Sequence, residues 1–425
     1  MSKRIFVLGL DGFSFSFLNN SYFEYVMPYF YSICRSYMAK EMKSVYPVVS
    51  SVAWTSFATG SNPGKHGIYG FTDRNINPFN ITIPTSENRM KTPIWNSLKT
   101  SMKKIVINVP LTYPPQKING YMISCFLCAD INKSTYPLEF SDVLKEKGYI
   151  IDADAGLVLK NPIAFLKQLI EAMEKRFEIA NSLLKEDWDY FQLHIMETDR
   201  LFHFYIDYVL RNRNDEISLL IDSFFGKLDK CIYGLINSIV SKSAIIILSD
   251  HGFCEIKEEV QLNKWLEENN YLKFSINRDL SDYVAETICY ALTPGRIYLN
   301  LMNREERGRV SISNYQKVRQ ELKNKLNNWY HPKTKEKIVD KVLFCEDIYH
   351  GEQCYRAPDI IVHPNRGYDF KSNTNVSNIF TKSELKGMHT YNDAMILGIN
   401  IDISKINKIE EVYNTIEDFL GNEAI

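Results

Sequence analysis

The sequence lacks three features that would place a chain of this length in a specialised class. It has no excess of positive charge, since 50 Lys and Arg face 51 Asp and Glu, and a strongly basic nucleic-acid binder is therefore excluded. It has no apolar run of about 18 residues, so we expect no membrane-spanning segment. Its eight cysteines are scattered over 425 residues, which is not the density of a disulfide-stabilised scaffold.

The amino terminus and the cysteines predict a reduced, cytoplasmic protein. The apolar segment Ile5–Leu10 follows two basic residues, but it is shorter than the hydrophobic region of a secretory signal, and Asp11 ends it. Cys125 and Cys128 form a Cys-x-x-Cys pair with apolar flanks and no second pair at zinc-site spacing. We interpret them as buried thiols of a strand rather than as a redox or metal site.

Short apolar runs alternate with longer helical patterns along the chain. Hydrophobic residues make up 45% of the sequence, which is enough for a sizeable core. The alternation predicts an α/β fold with a mainly parallel central sheet sandwiched by helices. The predicted strands are Ile5–Leu10, Ile105–Val109, Tyr190–Ile195, Ala244–Leu248 and Asp359–Val362, and the clearest predicted helices are Pro162–Leu184 and Glu216–Val240.

The composition changes between residues 259 and 355, which contain the charged run Asn303–Arg309 and a predicted helix near Ser313–Trp329. We interpret residues 259–355 as an inserted cap subdomain, and residues 1–258 and 356–425 as the core. None of the residues in this range is diagnostic of a role for the cap.

Carboxylates and histidines lie close to the ends of four predicted strands or apolar runs. In parallel sheets, functional side chains collect at the carboxyl ends of the strands, so we expect these residues to meet at one edge. Three Asp and three His suit two borderline-soft divalent ions, with zinc as the first choice. The residues are Asp11, Asp199, His203, Asp250, His251 and His389.

A serine lies at the predicted start of a short helix. The helix is expected to begin near Ser51 and to end at Thr59-Gly60, which places Ser50 at the N-cap, where backbone N–H groups attract an anion. A metal bound to its hydroxyl would make Ser50 an activated nucleophile. The alternative is that Ser50 only caps the helix.

The order of these segments resembles the type I phosphodiesterase/nucleotide pyrophosphatase branch of the alkaline phosphatase superfamily. The resemblance extends over nearly the whole chain. The matching segments are Gly9–Phe13, Ser50–Ile68, Glu197–His203, Ser249–Phe253 and Gly387–His389.

The resemblance implies a hydrolase of phosphate esters that uses two divalent metal ions, zinc first and manganese or another divalent ion as alternatives. Carried over residue by residue, one ion would be bound by Asp199, His203 and His389. The other would be bound by Asp11, Asp250, His251 and the hydroxyl of Ser50.

The resemblance also implies the nucleophile. In the family it precedes the Thr of a Thr-Gly pair by nine residues, which selects Ser50 here. Nucleotide pyrophosphatases have an Asn three residues after the nucleophile to bind phosphoryl oxygens, whereas this chain has Ala53. The phosphoryl group would then depend on the helix N-terminus, including the N–H of Ser51, and on the metals. This departure leaves the substrate class open.

Two related branches fit the sequence less well. Sulfatases need a Cys or Ser in a Cys/Ser-x-Pro-x-Arg segment, and Ser50–Trp54 lacks both the Pro and the Arg. Cofactor-independent phosphoglycerate mutases share the metal ligands, but their Asn-Ser-Glu type of nucleophile segment is missing.

We therefore expect cleavage of phosphodiester or pyrophosphate bonds in a small molecule, nucleotides being one candidate, through a covalent intermediate on Ser50. A phosphomonoesterase is the first alternative, and a binding protein without turnover is the second. Purely structural metal ions fit poorly, because structural zinc sites are closed by four strong ligands, usually thiolates. The sequence does not indicate the oligomeric state.

Four other residues have two interpretations. The aromatic residues Trp54, Trp265 and Tyr271 could line a substrate pocket, but ordinary packing is the expected role. His66 matches a recurrent element of the family, and we expect it to be structural.

Overall fold

The computed structural model describes residues 3–211, 214–275 and 278–421. The strands are β1 (Ile5–Leu10), β2 (Lys40–Met42), β3 (Asp73–Ile76), β4 (Phe79–Thr82), β5 (Lys104–Ile107), β6 (Gly120–Ile123), β7 (Thr135–Tyr136), β8 (Tyr190–Ile195), β9 (Ala244–Leu248), β10 (Gly252–Glu255), β11 (Glu258–Gln261), β12 (Cys289–Leu292), β13 (Arg296–Leu299), β14 (Val339–Phe344), β15 (Ile360–Pro364), β16 (Tyr368–Lys371), β17 (Phe380–Thr381), β18 (Gly387–Thr390) and β19 (Ala394–Ile399). The α-helices are α1 (Ser21–Val26), α2 (Pro28–Ser36), α3 (Ser50–Thr59), α4 (Pro63–His66), α5 (Ile94–Ser97), α6 (Phe140–Glu146), α7 (Leu157–Lys160), α8 (Pro162–Leu183), α9 (Glu197–Leu210), α10 (Glu216–Ile239), α11 (Leu262–Glu268), α12 (Ile312–Asn327), α13 (Cys345–Ile348) and α14 (Glu411–Leu420).

The central sheet has eight strands in the order β2-β19-β9-β1-β8-β5-β6-β7. The five inner strands from β9 to β6 are parallel, and antiparallel strands lie at both edges. The predicted α/β fold with a mainly parallel central sheet is thus confirmed. Strand β5 ends two residues earlier than predicted, because Asn108 adopts a positive φ of 62° that an extended strand does not accommodate.

Both faces of the central sheet are covered by helices, which explains why the sequences of its strands are continuous apolar runs. In β1, Phe6, Leu8 and Leu10 pack in a core shared with α8 and α10. Ile5 and Val7 pack on the other face in a core shared with α3 and α14. Helices α8 and α10 match the predicted helices to within one residue at each end.

A second, four-stranded antiparallel sheet has the order β12-β13-β15-β14. The segment Asp359–Val362, which was expected in the parallel sheet, corresponds to β15 and pairs here with β13 and β14. A buried apolar run does not encode which sheet it joins, so this expectation was wrong. The division into a core and a cap at 259–355 stays a prediction; the second sheet continues to Pro364, beyond that range.

The cysteines are all free. Cys125 and Cys128 are buried, as predicted, but they lie in a turn after β6 and not in a strand. Among the described residues, no helix is long and apolar enough to cross a bilayer.

Gly9 in β1 lies where a helix packs tightly against the sheet. A Cβ atom at this position would lie 2.6 Å from Cη2 of Trp54 and 3.0 Å from Cδ2 of His194. We therefore expect Gly9→Ala to lower the free energy of unfolding by about 1–3 kcal/mol in urea denaturation, because overpacking displaces buried rings. Gly234→Ala is the matched control: a Cβ there meets nothing within 4 Å inside α10.

In that control we expect unchanged or higher stability, since Ala is favoured over Gly in a helix by about 0.5–1 kcal/mol. Equal stability of Gly9→Ala and the wild type would contradict the close contact between Trp54 and β1.

Candidate active site

Three adjacent parallel strands bring the predicted aspartates together. Asp11 follows β1, Asp250 follows β9 with one residue between, and Asp199 lies in the first turn of α9 after β8. Because β1 pairs in parallel with both β8 and β9, these three strands end at the same edge of the sheet. All three carboxylates are buried there.

Two histidines converge on Asp199. His203 lies one helical turn further along α9, and His389 is delivered by β18, which pairs with β10. Their Nε2 atoms lie 3.4 Å and 3.2 Å from Oδ1 of Asp199, and 3.0 Å from each other. The sequence prediction grouped the same three residues around one metal ion.

The other predicted residues surround Ser50. Its Oγ lies 3.2 Å from Oδ1 of Asp11 and 3.2 Å from Nε2 of His251. The Nε2 atom of His251 is also 3.2 Å from Oδ2 of Asp250. Ligand atoms of Asp11, Asp199 and His251 lie within 4.8 Å of one another, so Asp199 stands between the two clusters.

The hydrogen bonds of His203 and His389 leave the Nε2 atom of each ring available to coordinate a metal ion. The Nδ1 atoms of His203 and His389 face the carbonyl oxygens of Gly387, at 2.9 Å, and Val48, at 3.2 Å. A carbonyl only accepts, so each Nδ1 carries the proton and each Nε2 keeps a lone pair for coordination. These nitrogens are the ones that converge at Asp199.

The carboxylates also fit divalent cations. Among the described residues, nothing hydrogen-bonds to the buried Oδ2 of Asp250 or Oδ1 of Asp199, although imidazole nitrogens lie nearby. Burial raises the pKa of Asp250 well above its usual range, and the charge of Asp11 adds to this effect. A divalent cation bound there would favour the ionised carboxylate.

The charges of the other site residues are set by their neighbours. Burial opposes ionisation of Asp199, but the adjacent His203 and His389 hold its pKa below the usual value. Burial alone would lower the pKa of His389, yet the adjacent Asp199 outweighs burial and raises it. Burial lowers the pKa of His251 to about 3, so this ring is neutral at pH 7.

Ser50 is the first residue of α3 and not its N-cap, so the predicted cap position was wrong by one residue. Val49, in an extended conformation, takes the cap position, and its side chain makes no capping hydrogen bond. The hydroxyl of Ser50 instead faces Asp11 and His251. The alternative of a purely capping serine therefore finds no hydrogen bond to support it.

Three residues that support Asp11 were not predicted as site residues. His194 Nε2 lies 2.9 Å from Oδ2 of Asp11, and Trp54 Nε1 donates to the same oxygen over 3.2 Å. The hydroxyl of Thr198 donates to the Asp11 carbonyl oxygen over 2.7 Å. His194 could have been noticed as a polar residue within the fully buried strand β8.

The remaining singled-out residues lie outside this cluster. Trp265 and Tyr271 pack in the core of the second sheet. His66 is buried, with Nδ1 accepting from the N–H of Ile68 and Nε2 3.0 Å from the hydroxyl of Ser56. Its Nε2 therefore carries the proton, and burial lowers its pKa to about 3. It forms a neutral cross-link and not a serine–base pair.

The fold is shared with solved hydrolase structures. Phosphonoacetate hydrolase from Sinorhizobium meliloti 1021 superimposes with a TM-score of 0.65 and 14% identity over 98% of this chain and 96% of that chain. Murine ectonucleotide pyrophosphatase/phosphodiesterase 5 gives a TM-score of 0.56 and 15% identity over 100% of this chain and 96% of that chain. At such identities the likeness shows the fold alone.

The family comparison defines the class of protein, a hydrolase acting on phosphate ester bonds. The family model for type I phosphodiesterase/nucleotide pyrophosphatase matches residues 5–392, and the chain belongs to this family. The resemblance seen in the motifs is thereby confirmed. Membership implies divalent metal ions, which the Asp and His clusters could bind. No curated protein sequence matches the chain significantly.

The indole of Trp54 offers a test of how Asp11 is held. Trp54→Phe removes the N–H donor to Asp11 and keeps most of the ring volume, so we expect the affinity for a divalent ion to fall about 10–100-fold. Zinc titration against a chelating indicator measures this change. Trp95→Phe is the control, because Trp95 Nε1 lies 3.0 Å from Gln116, a residue outside the cluster. Equal zinc affinities of the two variants would contradict the supporting role of Trp54.

Proposed function

We propose that this protein cleaves phosphodiester or pyrophosphate bonds with two divalent metal ions and Ser50 as the nucleophile. The observation that carries the proposal is the position of Ser50 Oγ, 3.2 Å from both Asp11 Oδ1 and His251 Nε2, at the first turn of α3. One ion would be held by Asp199, His203 and His389, and the other by Asp11, Asp250, His251 and Ser50. When bound, the ions supply the positive charge that favours the Ser50 alkoxide and stabilises the oxygen that leaves.

In this proposal, the N-terminus of α3 binds the phosphoryl oxygens of the substrate. The first N–H groups of a helix have no intrahelical partner and attract anions. The N–H groups of Val52 and Ala53 both point back to the carbonyl of Val49, so the N–H of Ser51 is the donor that we assign to the substrate. This donor would stand in for the amide that the chain lacks at Ala53.

The reaction has two displacements at phosphorus. The oxygen of Ser50 attacks phosphorus, the bond to the ester oxygen breaks, and the substrate phosphoryl group is left on Ser50. A water molecule then attacks the same phosphorus, and the bond to Ser50 Oγ breaks to release the product and restore the hydroxyl.

The charge of the site favours diesters over monoesters. Asp11, Asp199, Asp250 and an ionised Ser50 carry four negative charges, which two divalent ions would balance. Among the described residues, no Lys or Arg hydrogen-bonds to Ser50 to attract the second charge of a monoester. Imidazole-rich ligand sets suit zinc, which we keep as the proposed metal. The free cysteines support the proposed cytoplasmic location.

Ser50→Ala tests the nucleophile. We expect kcat to fall by at least roughly 1000-fold, because the attacking oxygen is removed, while the bound metal content remains similar. Ser243→Ala is the control, since Ser243 is also buried but precedes β9 at the opposite edge of the sheet. Near-normal turnover by Ser50→Ala would exclude the proposed nucleophile.

The preference for diesters is measured with two chromogenic substrates. On the metal-loaded protein we expect kcat/KM for bis-p-nitrophenyl phosphate to exceed that for p-nitrophenyl phosphate by at least about tenfold, since a neutral site favours a monoanion. A faster monoester reaction would establish the phosphomonoesterase alternative. Absence of both turnover and bound metal would favour the non-catalytic alternative.

A further inference from the structure

A cavity of about 120 Å³ opens beside the two histidines that converge on Asp199. His203 and His389 line it on one side, and the segment that leads to Ser50, Tyr46–Val49, lines another. Most of the remaining wall comes from β15 and β16 of the smaller sheets, and Thr293 and Pro294 contribute to it from residues 259–355. A group bonded to phosphorus at the candidate site would extend into this cavity.

One ion pair interrupts the apolar wall. Alternation along β16 packs Tyr368 and Phe370 in the hydrophobic core and leaves Asp369 and Lys371 partly exposed on the other side. Phe370, Asp369 and Lys371 all border the cavity. The Lys371 ammonium lies 2.7 Å from Oδ2 of Asp369, and the two side chains are only 23% and 15% exposed. Lys371 is the one Lys or Arg among the described residues that line the cavity.

This pair is poorly explained as a stabilising contact. Desolvating two charges in an apolar wall costs free energy that their attraction often fails to recover. The pair still has hydrogen-bonding capacity, because an ammonium has three donors and a carboxylate accepts several bonds. Asp369 and Lys371 thus present an acceptor and a donor side by side to whatever occupies the cavity.

The chemistry of the pair selects among possible occupants. A second anionic group would be attracted by Lys371 but repelled by Asp369. A cationic group would be attracted by Asp369 but repelled by Lys371. A purely apolar group would desolvate both charges without replacing their hydrogen bonds with water. A hydroxyl group satisfies both residues, since it accepts from Lys371 and donates to Asp369.

We propose that Asp369 and Lys371 bind hydroxyl groups on the ester substituent beside His203 and His389, so that the preferred substrates are phosphodiesters of a polyhydroxy alcohol such as glycerol or a sugar. This inference rests on the proposed function, because it assumes that the scissile phosphate lies at the candidate site.

The test measures the affinities of three symmetric diesters, which removes any doubt about which substituent enters the cavity. The ligands are bis(2,3-dihydroxypropyl) phosphate, dipropyl phosphate and bis(2-carboxyethyl) phosphate. Calorimetric titration uses the metal-loaded full chain with Ser50→Ala, so that no turnover contributes heat. We expect the dihydroxypropyl diester to bind about tenfold more tightly than the propyl diester, as for hydrogen bonds to charged groups.

Adding Lys371→Met or Asp369→Asn should remove this preference, so that the ratio of the affinities for the dihydroxypropyl and propyl diesters falls to about one. Lys257→Met is the matched control: Lys257 pairs with Glu336 at 2.9 Å outside the cavity, and the preference should persist. Thermal melting of each variant establishes that it is folded.

The inference is overturned if the three diesters bind equally, if the carboxyethyl diester binds best, or if the preference survives both substitutions. Failure of the proposed function has a different signature, namely no hydrolysis of bis-p-nitrophenyl phosphate by the metal-loaded wild type. The binding preference can be measured whether or not the wild type hydrolyses this substrate.

Discussion

Burying Asp11, Asp199 and Asp250 at one edge of a sheet is unfavourable unless positive charge is brought to the same place, because like charges repel strongly away from water. The chain itself supplies only part of this compensation. The histidines around Asp199 lower its pKa, whereas burial and the charge of Asp11 raise the pKa of Asp250. Divalent cations would complete the balance, and the strand order β9-β1-β8 brings the three carboxylates together.

At Asp11, the packing of the core also determines the geometry of the site. Its side chain is held by His194 from β8 and by Trp54 from α3, and both rings lie against Gly9, where a Cβ atom would not fit. A glycine in the central strand therefore lets a helix approach closely enough to orient a carboxylate. Its other oxygen, Oδ1, faces Ser50, which begins that same helix.

The sequence was most informative where burial was complete. Strands β1, β8 and β9 were predicted at their observed bounds, because apolar runs covered on both faces are unambiguous, and the residues near their ends indicated the Asp and His cluster. The apolar run that corresponds to β15 did not indicate which sheet this strand joins, because burial alone does not show which strands are neighbours. Supporting residues such as His194 depend on side-chain contacts between distant segments, which spacing along the chain does not encode.

The stereochemical course at phosphorus shows whether the phosphoryl group passes through Ser50. A chiral phosphorothioate diester would be hydrolysed by the metal-loaded protein in isotopically labelled water, and the configuration of the product determined. Two successive in-line displacements predict net retention of configuration. Net inversion would show that water attacks the substrate directly and would exclude a covalent intermediate on Ser50.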